Sequence, residues 1–128
     1  MFPSHDQAGA RTFFNASTTS GLTAGRVYYM ASSTVWTVAD NTGLGNAYEG
    51  FMGVSMGTNA SSGFVIEGCI YMNNDPGGSV GDPVYLSTSG NLTVTVPTGT
   101  GDAIRLMGHK IATNVVYFRP SNDWIIRS

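Results

Sequence analysis

Two histidines, His5 and His109, one cysteine, Cys69, and eight carboxylates are the residues of this 128-residue chain from which a metal centre, a histidine-based triad or an acid–base pair could be built. His5 stands in a polar amino-terminal stretch and His109 follows Met107-Gly108 in an apolar run, so neither has a partner at metal-ligand or triad spacing. Cys69, between Gly68 and Ile70, reads as a small buried hydrophobe, and with no second cysteine it cannot form an intramolecular disulfide. Glycoside hydrolysis needs two carboxylates on one cleft. Asp6, Asp40, Glu49, Glu67, Asp75, Asp82, Asp102 and Asp123 are scattered, and most adjoin Gly, Pro or Asn, where a carboxylate serves a turn. Asp40-Asn41 and Asn73-Asn74-Asp75 could offer oxygens to calcium but lack the alternation of a calcium loop. The chain has no phosphate loop and no Gly-x-Gly-x-x-Gly. It reads as a protein without catalytic, cofactor-binding or metal residues, and not as an enzyme.

The elements around these residues are β-strands. Gly, Ser, Thr and Asn are abundant, while the chain holds one Lys, one Gln, two Glu and five Leu, so strong helix formers are nearly absent. Eleven Val, six Ile, six Tyr and six Phe suit half-buried pleated surfaces. A length of 128 residues sets one domain. A net charge of -2 without segregation of sign excludes a basic nucleic-acid surface. No apolar run is long enough to cross a bilayer, and Met1 to Asp6 lack the features of a secretion signal, so no membrane partner and synthesis in the cytosol are expected.

Residues 1–20 show neither helical nor strand period and read as an extended arm, with a strand on the same domain as the alternative. Beyond Gly21, strands are expected over 26–32, 35–39, 50–57, 63–72, 83–87, 92–96, 104–111 and 115–120, with 124–126 closing the set. Ser89-Gly90-Asn91 marks a tight hairpin, and 73–78 is a strong breaker. Shifted by 56, Gly25-Arg26-Val27-Tyr28-Tyr29-Met30 falls on Gly81-Asp82-Pro83-Val84-Tyr85-Leu86. With one residue removed, Phe51-Met52-Gly53 falls on Leu106-Met107-Gly108, and Phe64-Val65-Ile66 then answers Val115-Val116-Tyr117. The expectation is an all-β fold, a small β-barrel or sandwich of about eight strands in two similar halves, with pseudo-repeats over about 21–72 and 77–126.

The second half carries Gly81-Asp82-Pro83-Val84-Tyr85-Leu86, the turn at Ser89-Gly90-Asn91, Pro97-Thr98-Gly99-Thr100-Gly101-Asp102, Arg105-Leu106-Met107-Gly108, and Pro120-Ser121-Asn122-Asp123-Trp124. In this order the motifs resemble a module common in structural proteins of tailed bacteriophages, over roughly residues 77–126. The resemblance implies that Gly81, Asp82 and Pro83 open a strand, that Gly108 allows close backbone approach, and that Trp124 seals one end of the barrel. It also implies a virion protein made in the host cytoplasm. With no coiled-coil shaft or fibrous repeat, a capsid decoration (cement) protein fits better than a fibre. Such a protein binds the outside of the major capsid protein shell and stabilises it without chemistry, as a homotrimer or as a monomer held by the shell. Phe2, Phe13 and Phe14 are the capsid-contact candidates, and the alternative is that they close the domain's own core. A second reading is a tail- or head-fibre domain that recognises host carbohydrate through Tyr28 or Tyr71, Trp36 and Trp124. An enzyme would require two of Glu49, Glu67, Asp82 and Asp102 to converge.

Overall fold

The computed structural model describes residues 10–14, 17–43 and 45–128. Val- and Tyr-rich runs broken by turn residues form an antiparallel sheet, curled into a half-barrel. Its strands are β1 (Arg11–Phe13), β2 (Val27–Ser32), β3 (Val35–Val38), β4 (Met52–Ser55), β5 (Phe64–Tyr71), β6 (Pro83–Leu86), β7 (Leu92–Thr93), β9 (Leu106–Ala112) and β10 (Val115–Phe118). A two-stranded ribbon pairs β8 (Ala103–Ile104) with β11 (Ile125–Ile126), and a single helical turn, α1 (Asn46–Glu49), precedes β4.

The order β3-β2-β4-β5-β10-β9-β6-β7 reads alike from both edges. Tyr29 opposite Thr37 and Met30 opposite Trp36 become, on adding 56, Tyr85 opposite Thr93 and Leu86 opposite Leu92. Val27 opposite Val54 and Tyr28 opposite Gly53 have their counterparts in Pro83 opposite His109 and Val84 opposite Gly108. Backbone bonds repeat too. The Gly25 amide donates to the Ser55 carbonyl at 2.8 Å and that of Ser55 to Arg26 at 3.0 Å; Gly81 donates to Lys110 at 2.8 Å and Lys110 to Asp82 at 2.9 Å. The last strands are offset by one residue from the sequence alignment, since Val65 answers Tyr117 and Phe64 answers Val116, and an irregularity between Val115 and Val116 absorbs the difference.

Apart from Met52 and Met107, which both enter the central core, the halves bury opposite sides. Val27, Val54 and Val65 of the first half enter the central core, whereas their counterparts Pro83 and His109 are exposed and Tyr117 is half-buried. Conversely Val84, Leu92 and Val116 are core, and their counterparts Tyr28, Trp36 and Phe64 form a second cluster on the other side of the first half. The alternation breaks inside β5: Val65 and Ile70, five residues apart, both enter the core, and between them Gly68 has a φ of 136° that a side chain would strain.

Of the arm expected over residues 1–20, the described part lies on the domain. β1 pairs with Phe64 to Glu67 on the edge of β5 that β10 leaves free, since β10 covers only Gly68 to Tyr71. The Ser17 hydroxyl donates to the Thr34 carbonyl at 2.7 Å, and the Trp36 amide donates to the Thr19 hydroxyl at 3.2 Å. These side chains blunt the outer edge of β3, which lacks charge to protect it.

The connection between the halves is held by Lys110, whose side chain is 7% exposed. Its ammonium bonds Asp75 at 3.2 Å and the carbonyls of Gly77 and Gly78 at 2.8 and 3.2 Å. Asp75 also accepts the Asn114 amide at 2.8 Å, and this bond, ahead of the Lys110 contact, lowers the pKa of its carboxyl. A carboxylate with a lowered folded pKa stabilises the fold fully above its unfolded value of about 3.9, and that contribution is lost as the pH falls through the folded value. Asp75→Asn is therefore expected to melt below the wild type at pH 7, with the gap closing below about pH 4. Thermal midpoints at pH 7 and pH 3 check this, and a gap that does not narrow between them contradicts it.

Candidate interaction surface

The run expected over 104–111 is interrupted at Arg105, because its side chain turns in to serve the backbone of two other segments. Nε donates to the Ser121 carbonyl at 2.9 Å, and Nη1 to the carbonyls of Tyr48 at 2.7 Å and Gly50 at 3.3 Å. Trp124 covers the guanidinium with its ring centroid 5.5 Å from Cζ. Arg105 is 5% exposed, and burial lowers its pKa, although a guanidinium remains charged. It thereby ties the carboxy-terminal run 120–124 to the turn between α1 and β4.

This tie shapes a groove of about 300 Å³ between Phe51, Met52 and Ile66 on one side and Pro120, Asn122 and Trp124 on the other, with Arg105 lining it. Glu49 is the one carboxylate among its described lining residues. Pro120 and Asn122 also line a second groove of about 350 Å³, which runs over Leu106, His109, Tyr117 and Arg119. The second groove covers His109 and Tyr117, whose counterparts Val54 and Val65 in the first half are core. Phe51 and Leu106 are exposed at 47% and 36%. At the rim, Glu67 accepts a hydrogen bond from the Tyr117 hydroxyl at 3.2 Å and faces Arg11 and Arg119, each at 4.0 Å. Those two exposed pairs contribute little to stability.

The three phenylalanines singled out in the sequence have different surroundings. Phe2 lies outside the described residues. Phe13 is half-buried, edge-on to Phe51 at 5.1 Å and to Trp36 at 6.1 Å, and so closes the second cluster. Phe14 is 59% exposed beside Gly63. Trp36 is buried and stacks on Phe64 at 3.7 Å, Tyr28 is buried, and Tyr71 is exposed. Trp124 is half-buried over Arg105 and walls a groove.

His109 is exposed. Cys69 is half-buried opposite Tyr117, and burial raises its pKa. Asp82 accepts the Ser79 amide at 2.8 Å and Asp102 the Gly99 amide at 3.1 Å, both within turns. Among the described residues no three of His, Cys, Asp and Glu gather as metal ligands. The arrangement can bind a partner through apolar and aromatic surface with a buried cation beside it. Phe51 and Arg105 went unnoticed as site residues in the sequence; the available signal was a lone basic residue between Ile104 and Leu106.

No protein-family model matches the chain, and no curated protein or solved structure matches it.

Proposed function

We propose that the protein is a bacteriophage capsid decoration protein, which binds the outside of the major capsid protein shell and stabilises it without chemistry. The observation that carries this reading is the open side of the second half. Residues of the phage-like motifs, Arg105, Leu106, Pro120 and Trp124, line two adjoining grooves there, next to exposed Phe51. Exposed Phe51 and Leu106 beside two adjoining grooves suit a surface that docks on a partner. Many copies, each binding only the assembled shell, stabilise it by mass action.

The test is sedimentation of the purified protein with expanded shells from the same genome. Wild type is expected to co-sediment, and Phe51→Ser to lose about tenfold or more in apparent affinity. Phe51 also packs on Phe13, so the variant's thermal midpoint is measured alongside and is expected to change little. Undiminished sedimentation of a folded Phe51→Ser contradicts the assignment of this surface.

Carbohydrate recognition by a fibre domain is the second reading, favoured by Trp124 standing half-exposed on a groove with Asn122 and Glu49. Burial of Trp36 and Tyr28 removes much of the aromatic set that this reading requires. Binding to a glycan array with no binding to shells is the outcome it predicts.

A further inference from the structure

The described residues contain two strongly buried cations, and they are treated differently. Lys110 has its counter-ion in Asp75, and its three protons have three acceptors. Among the described residues Arg105 has no carboxylate within 4.0 Å. Its Nε and Nη1 bond main-chain carbonyls, while Nη2 has no hydrogen-bond partner among the described residues. Arg105 keeps 5% of its surface exposed and lines the groove, where this unpartnered end of the guanidinium is the one left to meet a ligand. Buried charges are normally paired. Glu49 could have supplied the pair, but its Oε2 lies 3.7 Å from where a Cβ on Gly45 would stand, on the side of the turn before α1.

We propose that the groove beside Trp124 seats an Asp or Glu carboxylate of the docking partner on Nη2 of Arg105, with Trp124 and Phe51 covering the apolar stem of that side chain. The inference rests on this groove being the docking surface. A carboxylate arriving here makes a charge-assisted bond to a guanidinium already immobilised by its carbonyl partners and covered by the Trp124 ring. Recognition of this kind separates an acid from its isosteric amide, which a purely apolar groove does not do.

The probes are phenylacetate and its uncharged amide, phenylacetamide, titrated into the ¹⁵N-labelled protein while the Trp124 indole and Arg105 Nε resonances are followed. Phenylacetate is expected to shift both saturably, and phenylacetamide to bind at least about tenfold more weakly. Because Arg105 variants would disturb the fold, the diagnostic change is Asn122→Asp on the exposed wall, which sets a resident carboxylate against the incoming one. It is expected to weaken phenylacetate by about tenfold, with Glu49→Gln strengthening it. Equal binding of acid and amide, or no shift with either, overturns the inference. Shell sedimentation separates the two proposals. If Asn122→Asp loses phenylacetate yet decorates shells as wild type does, the carboxylate inference fails and decoration stands. If phenylacetate binds but wild type never sediments with shells, decoration fails and the carboxylate seat stands.

Discussion

Gly108→Val is expected to remove at least about 3 kcal/mol of stability, from backbone strain and overpacking together. Gly108 has a φ of 143° in the middle of β9, between Val84 of β6 and Phe118 of β10. A Cβ there would overlap the carbonyl oxygen of Tyr117, and would stand 3.0 Å from its carbon and 3.3 Å from the Arg119 amide. All three are main-chain atoms, so no side chain can move aside. Its counterpart Gly53 would set a Cβ 2.8 Å from the Phe64 side chain, a contact that repacking can relieve in part. Gly81, with a φ of 92° and open space around it, isolates the conformational cost alone, and Gly81→Ala is expected to cost about 1 kcal/mol. Urea unfolding of the three proteins checks the ranking. An unchanged midpoint for Gly108→Val would contradict the packing of β9 against β10.

Arg105→Ala is expected to cost about 3 kcal/mol, lowering the thermal midpoint by about 10 °C for a domain of this size. The loss arises at the carbonyls of Tyr48, Gly50 and Ser121, which give up a charged donor, and under Trp124, which loses its stacking partner. Arg105→Lys is expected to recover little, because one ammonium on a flexible stem cannot reach carbonyls at two different edges of the guanidinium. Trp124 should then report a wetter environment, as a red shift of tryptophan emission that the buried Trp36 does not contribute. A variant with wild-type emission and midpoint would show that Arg105 does not hold the 120–124 run in place.

Several elements were legible because local and tertiary demands agree. The β6–β7 hairpin follows from alternating Val84-Tyr85-Leu86, the turn at Ser89-Gly90 and Leu92, and the repeat carries the same logic to β2 and β3. Ser89 and Gly90 both take positive φ, at 56° and 73°, as a tight turn requires. Other features depend on partners far away in sequence. The strand expected to reach Val96 stops at Thr93, whose hydroxyl accepts the Thr95 amide at 3.1 Å, while the Val94 amide turns to Pro76. The run 104–111 divides at Arg105 because three distant carbonyls claim its side chain. Three residues of β1 are too few to show a period, and only the free edge of β5 makes them a strand. At the candidate surface, Trp124 stood out by its motif. The missing counter-ion of Arg105 and the reversed burial of the second half are properties of packing, which spacing does not record.

The central claim, shell decoration, is tested most directly by the copy number of this protein relative to the major capsid protein in purified particles of the same genome. Decoration predicts a ratio between about one-third and one, as a symmetric shell imposes. A handful of copies per particle, or none, would contradict it.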